Sequence, residues 1–431
     1  MLSNRGAQTL QCLRCHLVDA TVPMPTTTES VLPSLDPRTR RQGLFVLLTN
    51  NLLMWTGFIM VIPLLAVHYV EGLGWPAASI GIVLAVRQFA QQGIGVFGGI
   101  VADRLGVKGL IMAGLLLRAL GFGMMAWANT FVILLISAIF AALGGALFEA
   151  PGRAAVVQLS LPEERGRYFA IQSTTSSVGT AVGPLLGTLL LRYSFDVVAL
   201  TAGSFYIVAF VLTLFWLPLQ NRPTQEQDQL FSGLRLALND RLFMIFTAFG
   251  SGLWFMWVQF SVVLPLQATQ VTGTADAVSW TYMINAAMSI SLQYPLVRFL
   301  SRWLSPVSML ATGMALMACG LGAVAFVHTT PLLLTAVAVY VCGSLLAMPS
   351  QQTASAELAN PVALGSYFGV GALSLAIGGG IGNLAGGFLY DLGQALAWPS
   401  LPWIVFWVVG LATALGLFWL HGKLPARQQP A

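Results

Sequence analysis

Gly99-Ile100-Val101-Ala102-Asp103-Arg104-Leu105-Gly106-Val107-Lys108 sets three charges within six residues, between two long apolar segments. Gly99 and Gly106 flank the cluster, so the chain can turn tightly there and bring two backbones close. A charged turn between two spanning helices holds a network at a membrane surface, where it can break and re-form as the helices rock.

The rest of the chain agrees with a membrane setting. Of 431 residues, 57% are hydrophobic and only 8% are charged, against about 25% charged in a soluble protein. A spanning helix needs about 20 mostly apolar residues. Twelve stretches qualify: 43–69, 77–101, 109–128, 130–149, 168–191, 196–218, 242–268, 277–299, 306–327, 331–349, 366–390 and 401–420. The 44 glycines suit helices packed closely in lipid. The fold class expected is all-α and integral to the membrane. Seventeen of the twenty Lys and Arg fall on one side of the twelve stretches, which predicts that both termini are cytoplasmic.

Residues 1–41 read as a disordered cytoplasmic extension, polar and rich in proline. They contain Cys12-Leu13-Arg14-Cys15-His16, a pattern that also serves covalent haem attachment. A membrane redox protein is therefore a remote alternative; an accidental spacing is the reading preferred. Phosphate loops, catalytic triads and metal-ligand spacings are missing from the sequence, so no enzyme, cofactor or metal is expected and transport would run on gradients.

A polar linker, 219–241, divides the spans six and six, giving an N-terminal bundle at 42–218, a C-terminal bundle at 242–422 and a tail at 423–431. The halves repeat each other. Gly179, Gly183 and Gly187 recur 199 positions later as Gly378, Gly382 and Gly386, and Tyr168-Phe169 recurs as Tyr367-Phe368. Pro151 recurs one residue out of step, as Pro349. Repeats of six spans are how many carriers build a central site with two gates.

Charges within the spans stand out. Arg87 lies about ten residues into its span, near mid-depth at about 1.5 Å per residue, with Gln88, Gln91 and Gln92 beside it. Two readings are open: a lining of the transport path, or a polar cluster locking neighbouring helices. For Arg118, packing against the second or fourth span is preferred. Glu149 reads as the end of span four, next to Pro151 and Arg153, and no acid sits at the centre of any span.

The 99–108 stretch resembles the loop signature of the major facilitator superfamily in Gly99, Ala102, Asp103, Arg104, Gly106 and Lys108. Gly179, Gly183, Pro184 and Gly187 resemble the fifth-helix signature of the drug–proton antiporter branch, with Thr188 in place of its last glycine. The run from Arg87 to Arg104, with Gly144-Gly145, Tyr390-Asp391-Leu392-Gly393 and Leu401-Pro402-Trp403, is similar to multidrug efflux proteins of that branch.

That resemblance implies two pseudo-symmetric six-helix bundles in a bacterial inner membrane, exporting drug-like compounds against protons as a monomer. It implies a cytoplasmic latch of Asp103, Arg104, Glu149 and Arg153 with Gly99, Gly106 and Lys108, a proton-carrier role for Glu149 being the lesser of its two readings. It places cavity candidates at Asn50, Asn51, Trp55, Phe140, Phe148, Trp254, Trp257 and Gln259. Two departures bear on the proton: the first span has Asn50-Asn51 where the branch has an acid, and Phe140 stands where it has an arginine. A sugar, metabolite or lysolipid carrier on the same fold is the alternative function.

Overall fold

The computed structural model describes residues 36–161, 164–218, 230–360 and 364–423; of 94–105, 150, 230–234, 364 and 365 it describes the backbone alone. Cys12, Cys15, His16, most of the expected extension and tail, and residues 219–229 of the expected linker thus lie outside the described residues.

The first half holds α1 (Pro37–Ala66), α4 (Phe131–Leu159), α5 (Arg165–Leu191) and α6 (Phe195–Trp216). Between α1 and α4, Ala77–Met125 is one helical run except at Gly106, whose φ of 69° and ψ of 161° split it into α2 (77–105) and α3 (Gly106–Met125). The expected loop therefore shrinks to one residue, because glycine alone reaches that backbone region without a Cβ clash. After a short surface helix, Leu230–Asn239, come α7 (Arg241–Thr272, interrupted around Gln259), α8 (Asp276–Leu300), α9 (Pro306–Val324), α10 (Thr330–Leu358), α11 (Leu364–Ala395) and α12 (Leu401–His421). Ten of these stretches are long and apolar enough to cross a membrane among the described residues. Outside that count are α2, part of which is backbone alone, and α8, which carries Asn285, Ser289, Ser291 and Gln293.

Local chemistry sets the ends. Thr130, Ser194, Asp240 and Ser305 accept backbone N–H bonds at the starts of α4, α6, α7 and α9. Prolines open α1, α9, α10 and α12, where no intrahelical N–H is needed.

Two spans run past their expected ends. α4 continues through Pro151 to Leu159, and α10 through Pro349 to Leu358. A proline costs one backbone bond, which packed membrane helices tolerate. Glu149 is thereby moved from the end of its span to ten residues inside it.

The repeat is built into the packing. A Cβ on Gly114 would lie 2.7 Å from the Gly144 carbonyl, and one on Gly313 would lie 2.6 Å from the Gly343 carbonyl. These crossings, α3 on α4 and α9 on α10, are 199 positions apart. The glycines of α5 press on α1 at Trp55, Thr56 and Met60, and their counterparts in α11 press on α7 at Ser251, Phe255 and Gln259.

The halves meet as α2 against α11 and α5 against α8. Hydrogen bonds close this seam at the far end, opposite the ends where α1 begins and α12 stops. There the Asp391 carboxylate of α11 accepts the backbone N–H groups of Ala77 and Ala78, at 2.9 and 2.7 Å. Thr188 bonds Ser279 at 2.7 Å, Arg192 pairs with Asp276 at 3.1 Å, and the Thr269 hydroxyl donates to Glu71. Toward the near end, Glu149 and Arg153 of α4 and Gln352 and Thr353 of α10 are exposed.

Candidate functional site

A chain of polar side chains joins α2 to α4. Arg87 Nη1 donates to Gln91 Oε1 at 2.8 Å, and Gln91 Nε2 donates to Glu149 Oε1 at 2.8 Å. Arg87 Nη2 also donates to Gln88 Oε1 at 3.2 Å. The i, i+4 spacing of Arg87 and Gln91 puts both on one helix face. Gln92 is half-buried beside them.

Arg118 enters from α3. Its guanidinium lies 5.5 Å from the Phe58 ring centre and 5.8 Å from that of Tyr206, while Arg87 lies 4.9 Å from the same Phe58 ring. Phe58 thus sits between two cations, each attracted to the ring face. Arg87 and Arg118 are 8% and 4% exposed, and the Nε atom of each has no hydrogen-bond partner. Glu149 is exposed.

Gly145 makes the convergence possible. A Cβ there would overlap Arg118 Nη2 and lie 3.1 Å from the Gln91 amide carbon. The Gly144-Gly145 pair thus does two jobs: the first residue lets α3 approach, and the second leaves room for a guanidinium. Phe58 and Tyr206 were not picked out from the sequence, and Gly145 stood there only as part of a resemblance, with no role assigned. The usable signal was a second glycine beside one already explained by packing.

The expected latch is described only in part. Glu149 bonds to Gln91, and Arg153 is exposed one turn further along α4. Lys108 turns away to α6, where its Nζ donates to the carbonyls of Leu214 and Leu217 at 3.0 and 2.8 Å. A cation there satisfies the last carbonyls of a helix. Gly99 lies in the helical backbone of α2, and the side chains of Asp103 and Arg104 lie outside the described residues.

Several cavity candidates make contacts between helices. Asn50 is fully buried, and its Nδ2 donates to Thr213 Oγ1 of α6 at 2.7 Å. Asn51 Nδ2 faces α5, with Thr175 Oγ1 and Ser176 Oγ at 2.8 Å and the Gln172 carbonyl at 2.9 Å. Gln259 is fully buried and ties α7 to α11 by donating to the Gly382 carbonyl at 2.9 Å. Phe148 is buried beside Gly114. The Asn50 and Gln259 N–H groups are bonded across helix crossings, while Asn50 Oδ1 and Gln259 Oε1 are buried without a hydrogen-bond partner.

Trp55, Phe140, Trp254 and Trp257 are half-buried. Trp55 meets Phe58 edge-on at 6.3 Å, and Trp254 meets Trp257 edge-on at 5.5 Å.

Known proteins agree with this architecture. The chain is 38% identical to the multidrug resistance protein MdtH of Photorhabdus laumondii over 395 residues, covering 92% of this chain and 98% of the relative. To MdtH of Salmonella newport it is 37% identical over 390 residues, covering 90% and 97%. Among solved structures, a POT family transporter in complex with a thioalcohol-conjugated peptide superposes with a TM-score of 0.74 at 16% identity, over 88% of this chain and 96% of that one. A variant of the nucleoside transporter NupG gives 0.74 at 15% identity, over 88% and 99%. At such identity the two structures speak to the fold alone. The Major Facilitator Superfamily profile matches residues 47–272 and 253–431. This multi-pass membrane protein therefore belongs to the Major Facilitator Superfamily, and within it to the family of the multidrug resistance protein MdtH.

Proposed function

We propose that the protein exports amphipathic, drug-like compounds across the bacterial inner membrane in exchange for protons, acting as a monomer in the bilayer. The observation that supports this reading is the closure of two matched halves at one end of their seam. One end is tied by Asp391, Thr188–Ser279 and Arg192–Asp276, while polar residues of α4 and α10 are exposed toward the other. The bias of basic residues supports a cytoplasmic near end, and in this reading the conformation is the one open inward. Substrate enters there, between Trp55 and Phe58 of one half and Trp254 and Trp257 of the other. Broad aromatic surfaces suit bulky amphipathic or cationic molecules. Rocking of the halves then breaks the far seam and opens the site outward. The relatives' names support drugs as the cargo.

Purified protein in liposomes with an imposed pH gradient tests the proposal, with ethidium and rhodamine as fluorescent probes. Dye accumulation that depends on the gradient and collapses with a protonophore is the expected result. Dye movement indifferent to the gradient, in folded protein, overturns it.

A further inference from the structure

Resting on the antiport reading above, we infer that Glu149 is the carboxylate that exchanges the proton, with Arg87 as its positioning residue through Gln91. Three observations converge. First, among the described acids Glu149 stands farthest from a helix end, ten residues inside α4; Asp36, Glu71, Asp196, Asp276, Glu357 and Asp391 lie in first or last turns. Its depth comes from the passage of α4 through Pro151. An exposed charge at that depth is costly against lipid and belongs beside a water-filled space.

Second, Glu149 is both accessible and wired. One oxygen accepts the Gln91 N–H, whose carbonyl accepts from buried Arg87. The charges facing it among the described side chains are Arg87 from α2, Arg118 from α3 across Gly145, and Arg153 one turn along α4. α1 presents Phe58 to both buried arginines.

Third, the repeat supplies an internal control. The positions 199 residues after Arg87, Gln91, Arg118 and Glu149 are Ala286, Ile290, Met317 and Met348. Met317 packs on Gly343 as Arg118 packs on Gly144. The same scaffold is thus built in the second half from apolar residues, so the helix crossing does not require the charges. Asn50 and Asn51, where the antiporter branch carries its acid, are spent on α6 and α5 and are not ionisable.

The exchange balances simply. With the site open outward, the Glu149 carboxylate takes one proton from the external water. Its charge and its bond to the Gln91 N–H are then weakened, and Arg87 loses the anion relayed to it. With the site open inward, the O–H bond breaks, the proton passes to cytoplasmic water and the carboxylate again accepts from Gln91.

Wild-type, Glu149→Gln and Glu149→Asp proteins in the same liposomes test this with ethidium. Two readouts are needed: accumulation driven by a pH gradient, and counterflow exchange of dye at uniform pH. The expected result for E149Q is accumulation reduced to the protonophore baseline, with counterflow retained. E149D should keep coupled transport with a shifted pH profile. Gradient-driven accumulation by E149Q at the wild-type rate overturns the assignment, and so does loss of counterflow together with coupling in both variants, which would mark a structural role. A wild-type protein that shows counterflow but no gradient-driven transport refutes the antiport reading itself, and this inference with it.

Discussion

Asn50 and Glu149 exchange the roles that their positions suggest. Asn50 lies where an acid is expected, yet its amide is consumed by Thr213. Glu149 reads as a boundary residue, yet it lies inside a helix and is linked to buried Arg87 through Gln91. Interhelical hydrogen bonds in membranes contribute about 0.6 kcal/mol on average. Asn50→Ala should therefore lower thermal stability modestly and leave dye affinity unchanged, as fluorescence titration would show; a large loss of affinity would return Asn50 to the cavity. Gly145 has the opposite character. Gly145→Val places methyl groups where Arg118 and Gln91 converge, and overpacking of this kind costs about 1–3 kcal/mol. Transport should fall sharply while membrane insertion persists, measured by dye efflux at matched expression.

Helices were the legible part of this sequence, because spans of apolar residues announce themselves by length. The glycine repeat was legible too, since a shared offset survives where individual contacts do not. The ends of helices were less so. Pro151 and Pro349 look like stops, but neighbouring helices replace what each proline removes. Similarly, the charged stretch at 99–108 looks like a loop, yet the helix breaks only at Gly106. Side-chain partners across helices were not legible at all: nothing local to Lys108 reveals that it caps α6. Gly106 occupies a region nearly closed to other residues, where strain is on the order of 1–3 kcal/mol. Gly106→Ala should lower the unfolding temperature of the purified protein, and an unchanged temperature would show that the break is not needed. Lys108→Ala should leave the break intact and loosen the end of α6, seen as faster amide exchange around Leu214–Leu217.

Two matched halves tied together at the far end by side chains form a molecule with that gate shut. Asp391 is central to that gate, since Pro76 gives α2 no side-chain cap of its own. Losing a helix cap costs about 1 kcal/mol, so Asp391→Ala should raise the outward-open population several-fold. Spin labels on a protein with Cys12, Cys15, Cys319 and Cys342 all replaced would report it. Labels at Leu73 and Leu396 follow the far end, and labels at Arg41 and Arg302 follow the near end; all four positions are exposed. Distances for both pairs, recorded on the otherwise unaltered protein as the pH is lowered, test the alternating motion most directly. The expected result is reciprocal: the far pair gains a longer distance as the near pair gains a shorter one. Two pairs that stay fixed, or that lengthen together, would contradict alternating access.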